Sequence, residues 1–192
     1  MDEFFGILNR LKRTPREGWL ECGVPSEEVE DVAQHSFETV SIVLLLLDEL
    51  EQEGRRLDRG RALSAAITHD WAEALTGDFS STMLREVGEE LRLRMEREAL
   101  IDMTRRLPWG RRYLELWEEY QREETPEIRL VHAADHLSIL IQALAYLEKG
   151  RRSKKLRELW EVVHRDLEPY MEEFPPVKKF VEKLDKRYEK FT

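Results

Sequence analysis

The sequence carries five histidines, and their neighbours decide what chemistry they can do. His69 and Asp70 are adjacent in the segment THDWAEALTGD. On a helix, adjacent side chains point about 100° apart, so they seldom bond each other, yet both reach a metal ion lying against that side. Glu73 follows on the same helical face, and Asp78 stands just past Gly77, where the chain is free to turn. A solvated acidic helix end would also look like this. The apolar context favours a metal, because Ala62, Leu63, Ala65, Ala66, Ile67, Ala72, Ala74 and Leu75 surround the pair. An uncompensated buried charge is costly, and a divalent cation would compensate it.

Two ligands under-coordinate a metal. His35, in DVAQHSFETV, opens the most apolar stretch of the chain, and Asp135, in RLVHAADHLSIL, stands among Val131, Ala133, Ala134, Leu137, Ile139 and Leu140. Singly, each reads as a satisfied core polar group. With His69 and Asp70 they make two imidazoles and two carboxylates. That mixed set suits one Mn, Fe, Co, Ni or Zn ion better than Ca or bare Mg. His132, Asp135 and His136 have helical i, i+3, i+4 spacing and could form a small site of their own. The preferred reading makes Asp135 a ligand and puts the two histidines behind it or at the surface. His164, in a charged late segment, reads as a surface group.

Helices must position these residues, since most of the chain has helical periodicity and no strand pattern. The signals predict helices over about Asp2–Lys12, Ser26–Glu53, Arg59–Leu75, Ser80 or Ser81 to Arg106, Trp109–Glu124, Thr125–Glu148, Ser153–Tyr170 and Pro176–Lys190. Thr14-Pro15, Gly54, Gly77, Pro108 and Gly150 supply the stops. The expectation is an all-α single domain of seven or eight helices over residues 1–192. Its motif-bearing core is about 11–150, with helices of 151–192 packed on it.

Composition narrows the function further. The 192 residues suffice for a sizeable core, and the formal net charge of −9 repels phosphate polymers, so a nucleic-acid polymer is not the expected partner. A small anionic substrate is compatible with local cations, and Arg10, Lys12, Arg13 and Arg16 cluster near the start. The lone Cys22 permits no intrachain disulfide and no cysteine zinc site, which fits a reducing compartment. No signal peptide is visible, and the greasiest run, Ile42–Leu47, is too short to span a bilayer. A cytoplasmic protein without a membrane partner is expected. Apolar Leu114, Trp117, Leu156, Leu159 and Trp160 suggest a homodimer.

The order His35 … His69-Asp70 … Asp135 resembles the HD-domain metallohydrolase superfamily. VAQHSFETV is similar to that family's V-A-E-H-S segment, and HAADHL to its third metal segment, where an Asp follows a small residue. HDWAEALTGDFS and LKRTPREGW resemble segments of the 5′-deoxynucleotidase branch. The resemblance implies an all-α phosphohydrolase that binds one divalent metal through His35, His69, Asp70 and Asp135. It implies Glu73 as general acid/base and Asp78 as the residue that fixes the attacking water or the substrate. Arg16 would grip a 5′-phosphate, and Trp19 would border the sugar and exclude a ribose 2′-hydroxyl. Gln34 replaces the family's usual Glu, which is expected to remove a charge near the metal. Alternatives are another HD phosphohydrolase, acting on a cyclic nucleotide, a nucleoside triphosphate or an alarmone, and a non-catalytic metal-binding regulator.

Overall fold

In the computed structural model, which describes residues 1–191, the regular elements are helical apart from an isolated antiparallel bridge between Pro15 and Asp31. The α-helices are α1 (Asp2–Leu8), α2 (Glu17–Glu21), α3 (Val32–Gln52), α4 (Arg59–Thr68), α5 (Glu73–Thr76), α6 (Ser81–Val87), α7 (Glu89–Thr104), α8 (Gly110–Arg122), α9 (Pro126–Glu148), α10 (Lys154–Glu173) and α11 (Pro175–Tyr188). The all-α expectation holds. The helix count rises because two expected helices are divided and the expected connector holds α2, while a third expected helix starts late.

Local bonds and glycines mark where these differences fall. The helix expected from Ser26 starts at Val32, because the preceding residues are held extended. Arg16 N–H donates to the Glu30 carbonyl at 3.0 Å, and Val32 N–H donates to that of Thr14 at 2.9 Å. Asp31 then caps α3 by accepting from Gln34 N–H at 2.8 Å, while the Gln34 side chain accepts from Asp31 N–H at 3.3 Å. This reciprocal pair is a capping box, which takes Gln as readily as Glu. Gln34 is exposed, and its side chain takes part in starting the helix. The expected helix Arg59–Leu75 ends at Thr68, resumes only at Glu73, and closes at Gly77 with a φ of 77°. The helix expected to run to Arg106 breaks at Gly88, whose φ of 81° an L side chain adopts only with strain.

The described residues form two compact units. The first comprises 1–37 and 67–122, the second 38–66 and 123–192. In the first, α5 packs on α7, α1 and the 3₁₀ turn Asn9–Arg13, around buried Leu11, Val32 and Ala74. In the second, α10 and α11 both pack on α9. By length and composition alone α9 is apolar enough to cross a membrane, but most of it is buried within the chain, as befits a core helix. Trp117, Leu156 and Trp160, expected to mark a dimer face, are buried inside this chain and are not free for a partner.

Glu173 pins the end of α10. It receives Arg129 at 2.6 and 2.9 Å and Arg55 at 3.0 Å. Hydrogen bonding from Arg129, against some desolvation, holds its carboxyl below the usual range. A depressed carboxyl stabilises the fold above the ordinary carboxylate pKa, and that contribution is lost as pH falls through the lowered one. Glu173→Gln is expected to lower Tm by about 2–6 °C near neutral pH. The gap from wild type should close in acid. Melts across pH test this, and a gap that persists in acid would contradict it.

Candidate metal centre

His35 sits one turn into α3 and is 1% exposed. The capping box and the extended 29–31 segment fix where that turn begins. His69 and Asp70 lie where α4 has ended, in a tight turn rather than on the helix the sequence suggested. Here Trp71 N–H donates to the Thr68 carbonyl at 3.2 Å and Glu73 N–H to that of Asp70 at 3.0 Å. These i to i+3 bonds wind the backbone more tightly than an α-helix.

The consequence is a small triangle of donor atoms. His35 Nε2 and His69 Nε2 are 3.4 Å apart. Asp70 Oδ2 is 3.1 Å from His69 Nε2 and 3.5 Å from His35 Nε2. Ligands bound at about 2.0–2.2 Å, with angles between octahedral and tetrahedral, stand about 2.9–3.6 Å apart. The triangle therefore fits one face of a single divalent cation. The donor chemistry agrees. Asp70 Oδ2 is buried without a hydrogen-bond partner although two imidazole nitrogens crowd it, and a shared cation would satisfy all three. Burial by itself would raise the Asp70 carboxyl, but the imidazoles of His69 and His35 and the Arg16 guanidinium outweigh it and hold it below the usual range.

Arg16 and Asp78 complete this end. Arg16 Nη1 donates to Asp78 Oδ1 at 2.9 Å and lies 3.7 Å from Asp70 Oδ2. Asp78 Oδ2 accepts the N–H of Glu17, the first residue of α2, at 2.7 Å. Asp78 thus holds the guanidinium beside the donor triangle. Glu73 has a buried oxygen, Oε2, without a hydrogen-bond partner. Burial pushes its carboxyl well above the usual range, and the nearby charges of Asp70 and Asp78 push it further, against the pull of Arg16. It therefore holds a proton at pH values where an ordinary carboxylate has lost one.

Trp19 is only 3% exposed, and its indole N–H donates to Glu30 Oε1 at 2.7 Å. Asp135 lies half-buried on α9, in the second unit, flanked by buried Ala134 and Leu137. On the same helix His136 Nδ1 is 2.8 Å from the His132 carbonyl, and His132 Nε2 is 4.0 Å from a Glu123 oxygen. Both rings are half-buried. His164 is about one-third exposed and lies 3.1 Å from Asp185.

Sequence reasoning missed two acids. Glu30 is buried, and its carboxyl is raised by burial despite the opposing pull of His35 and Trp19. Glu96, on α7, is buried and takes both oxygens' bonds from Arg92 at 2.7 and 2.8 Å. The i, i+4 spacing of Arg92 and Glu96 was a visible signal, but such pairs are commonplace on solvated helices. Glu30 gave none, being one acid among several at 27–31.

An all-helical chain with two imidazoles and a carboxylate converging beside an arginine defines a metal-site protein of phosphate-handling type. The chain belongs to the HD domain family, whose model matches residues 8–175. It is 30% identical to the 5′-deoxynucleotidase HDDC2 of Xenopus laevis over 160 residues, 82% of this chain and 75% of that protein. It is 32% identical to the 5′-deoxynucleotidase hdd1 of Schizosaccharomyces pombe over 161 residues, 81% of this chain and 76% of that one. Among solved structures it is similar to a conserved hypothetical protein from Pyrococcus furiosus, with 35% identity and a TM-score of 0.77, covering 95% of this chain and 99% of the other.

Proposed function

We propose that this chain is a metal-dependent phosphohydrolase acting as a 5′-deoxynucleotidase, cleaving deoxyribonucleoside 5′-monophosphates to the nucleoside and phosphate. The observation that carries the reading is the Arg16 guanidinium, held by Asp78 and standing 3.7 Å from the donor triangle. A planar fork of donors beside a cation site suits a doubly charged phosphate monoester. The 5′-deoxynucleotidase relatives agree with it.

His35, His69 and Asp70 would hold the metal, with Asp135 as a further ligand. The order of the family segments supports Asp135, which with His35 and His69 offers ligand atoms of the right types. Bound there, a divalent cation would withdraw charge from phosphate oxygens and acidify water. Mn, Fe, Co, Ni and Zn all suit the donors. The chain's own residues do the rest. Arg16 orients the phosphate, Asp78 fixes Arg16 and the substrate or attacking water, and Trp19 borders the sugar. Hydrolysis needs one proton removed from water and one delivered to the departing 5′-oxygen. Glu73, whose carboxyl burial raises well above the usual range, is the donor for the second and the acceptor in return.

The matched residues 8–175 draw on both compact units, so one HD domain is the proposed organisation. A small-molecule substrate, a cytoplasmic location and the absence of nucleic-acid or membrane partners follow from the same reading. A homodimer is also proposed. It is supported by apolar side chains that α3 leaves exposed, Phe37 at 77% together with Leu44 and Leu45.

The experiment is metal analysis of the purified protein, then a panel of deoxy- and ribonucleotides with Co, Mn and Mg added back, reading free phosphate. Release confined to deoxy monophosphates is expected. Turnover of a triphosphate or cyclic nucleotide instead would move the enzyme to another HD phosphohydrolase type. Arg16→Ala is expected to keep the fold and the metal while lowering kcat/KM about 10–100-fold, chiefly through KM. Unchanged kinetics would remove Arg16 from the site.

A further inference from the structure

Of the two buried acids without an assigned task, Glu96 is paired with Arg92, and Glu30 lies beside the residues of the site. Glu30 is 7% exposed and sits between the extended Val29 and Asp31, where a leucine or glutamine would avoid the cost of burying a carboxyl. Its side chain accepts the Trp19 indole N–H at 2.7 Å. Its carbonyl accepts the Arg16 N–H at 3.0 Å, and the Arg16 carbonyl in turn accepts the Trp19 N–H at 3.1 Å. One residue therefore grips the segment that carries both Arg16 and Trp19. It does so five residues before His35, at the entrance to the helix that carries that donor. The two grips differ in kind. The backbone bond to Arg16 survives any substitution at 30. The bond to the indole depends on the side chain, and it ties the indole edge of the buried Trp19 ring to a fixed acceptor.

We propose that Glu30 is a positioning residue for sugar discrimination, holding the Trp19 ring in the plane that separates deoxyribose from ribose. This rests on the 5′-deoxynucleotidase reading. Because only the indole depends on the side chain, the sugar preference and the grip on phosphate respond separately. Glu30→Ala is expected to lower the deoxy-to-ribo ratio of kcat/KM about 10-fold. Inhibition by inorganic phosphate should shift by less than about twofold, and kcat on the deoxy substrate by less than about threefold. Glu30→Gln keeps an acceptor oxygen and should restore the wild-type ratio.

An unchanged ratio in Glu30→Ala overturns the proposal. So does a Glu30→Gln variant as impaired as Glu30→Ala, since the acceptor would then not be what matters. A second readout needs neither substrate nor the alanine variant. The Trp19 indole N–H resonance, assigned by its loss in Trp19→Phe, should be shifted downfield and slow to exchange in wild type and in Glu30→Gln. A fast-exchanging indole in wild type also overturns the proposal. If wild type releases no phosphate from any deoxynucleotide, the activity reading fails by itself, and the indole resonance still decides whether Glu30 holds Trp19.

Discussion

Asp70→Asn is expected to purify folded, with most of its metal gone, and with kcat/KM reduced at least about 1,000-fold. The substitution keeps size and shape but removes the charge on the atom that stands 3.1 and 3.5 Å from the two imidazoles. An amide oxygen is a weaker donor to a divalent cation, and an amide nitrogen in that place would repel it. His35, His69 and the proposed ligand Asp135 remain, a set short of one anionic donor that holds a cation more weakly. The same change removes an anion 3.7 Å from Arg16, so the guanidinium should keep its place through Asp78, 2.9 Å away. Elemental analysis beside a circular dichroism melt checks the result. Full metal occupancy in the folded variant would take Asp70 out of the ligand set.

Glu73→Gln is expected to keep the metal and the fold while kcat falls about 100- to 10,000-fold, the usual range for losing a positioned general acid. The amide matches the carboxyl in shape, and the wild-type group is held protonated by burial and by the charges of Asp70 and Asp78. Packing should therefore change little. What disappears is a proton that can be given up. The loss should be smallest on a substrate whose leaving group needs no proton, such as a nitrophenyl ester. Single-turnover phosphate release on both substrates, with metal content measured alongside, separates this role from a ligand role. Equal losses on both, or a loss of metal, would contradict the assignment.

Much of this molecule was written locally. Helix starts follow from side chains within four residues, as with Ser80, Thr125 and Ser153, each accepting a backbone N–H of its own first turn. Stops follow from glycines whose backbone conformation the sequence announces. The donor types of the triangle were legible too, because His35, His69 and Asp70 sit in apolar surroundings in the family's order. Other features were not legible, and they share a cause. The break at His69–Ala72 coincides with the weaker helix formers Thr68 to Trp71, yet apolar periodicity runs through it and favours continuing the helix. Packing of α5 against α7 and α1 overrides that preference.

The amino-acid sequence by itself determined the all-helical class, the caps, the acidic surface and the chemical types gathered for a metal and a phosphate. The tertiary structure alone decided that His35 and His69 meet at 3.4 Å. It also decided that Asp78 holds Arg16 across 62 positions of chain, and that Glu30 bonds Trp19. The physical reason is range. Capping and periodicity act over one or two helical turns, whereas a distance between remote side chains depends on how whole helices pack, and that no short stretch of sequence encodes.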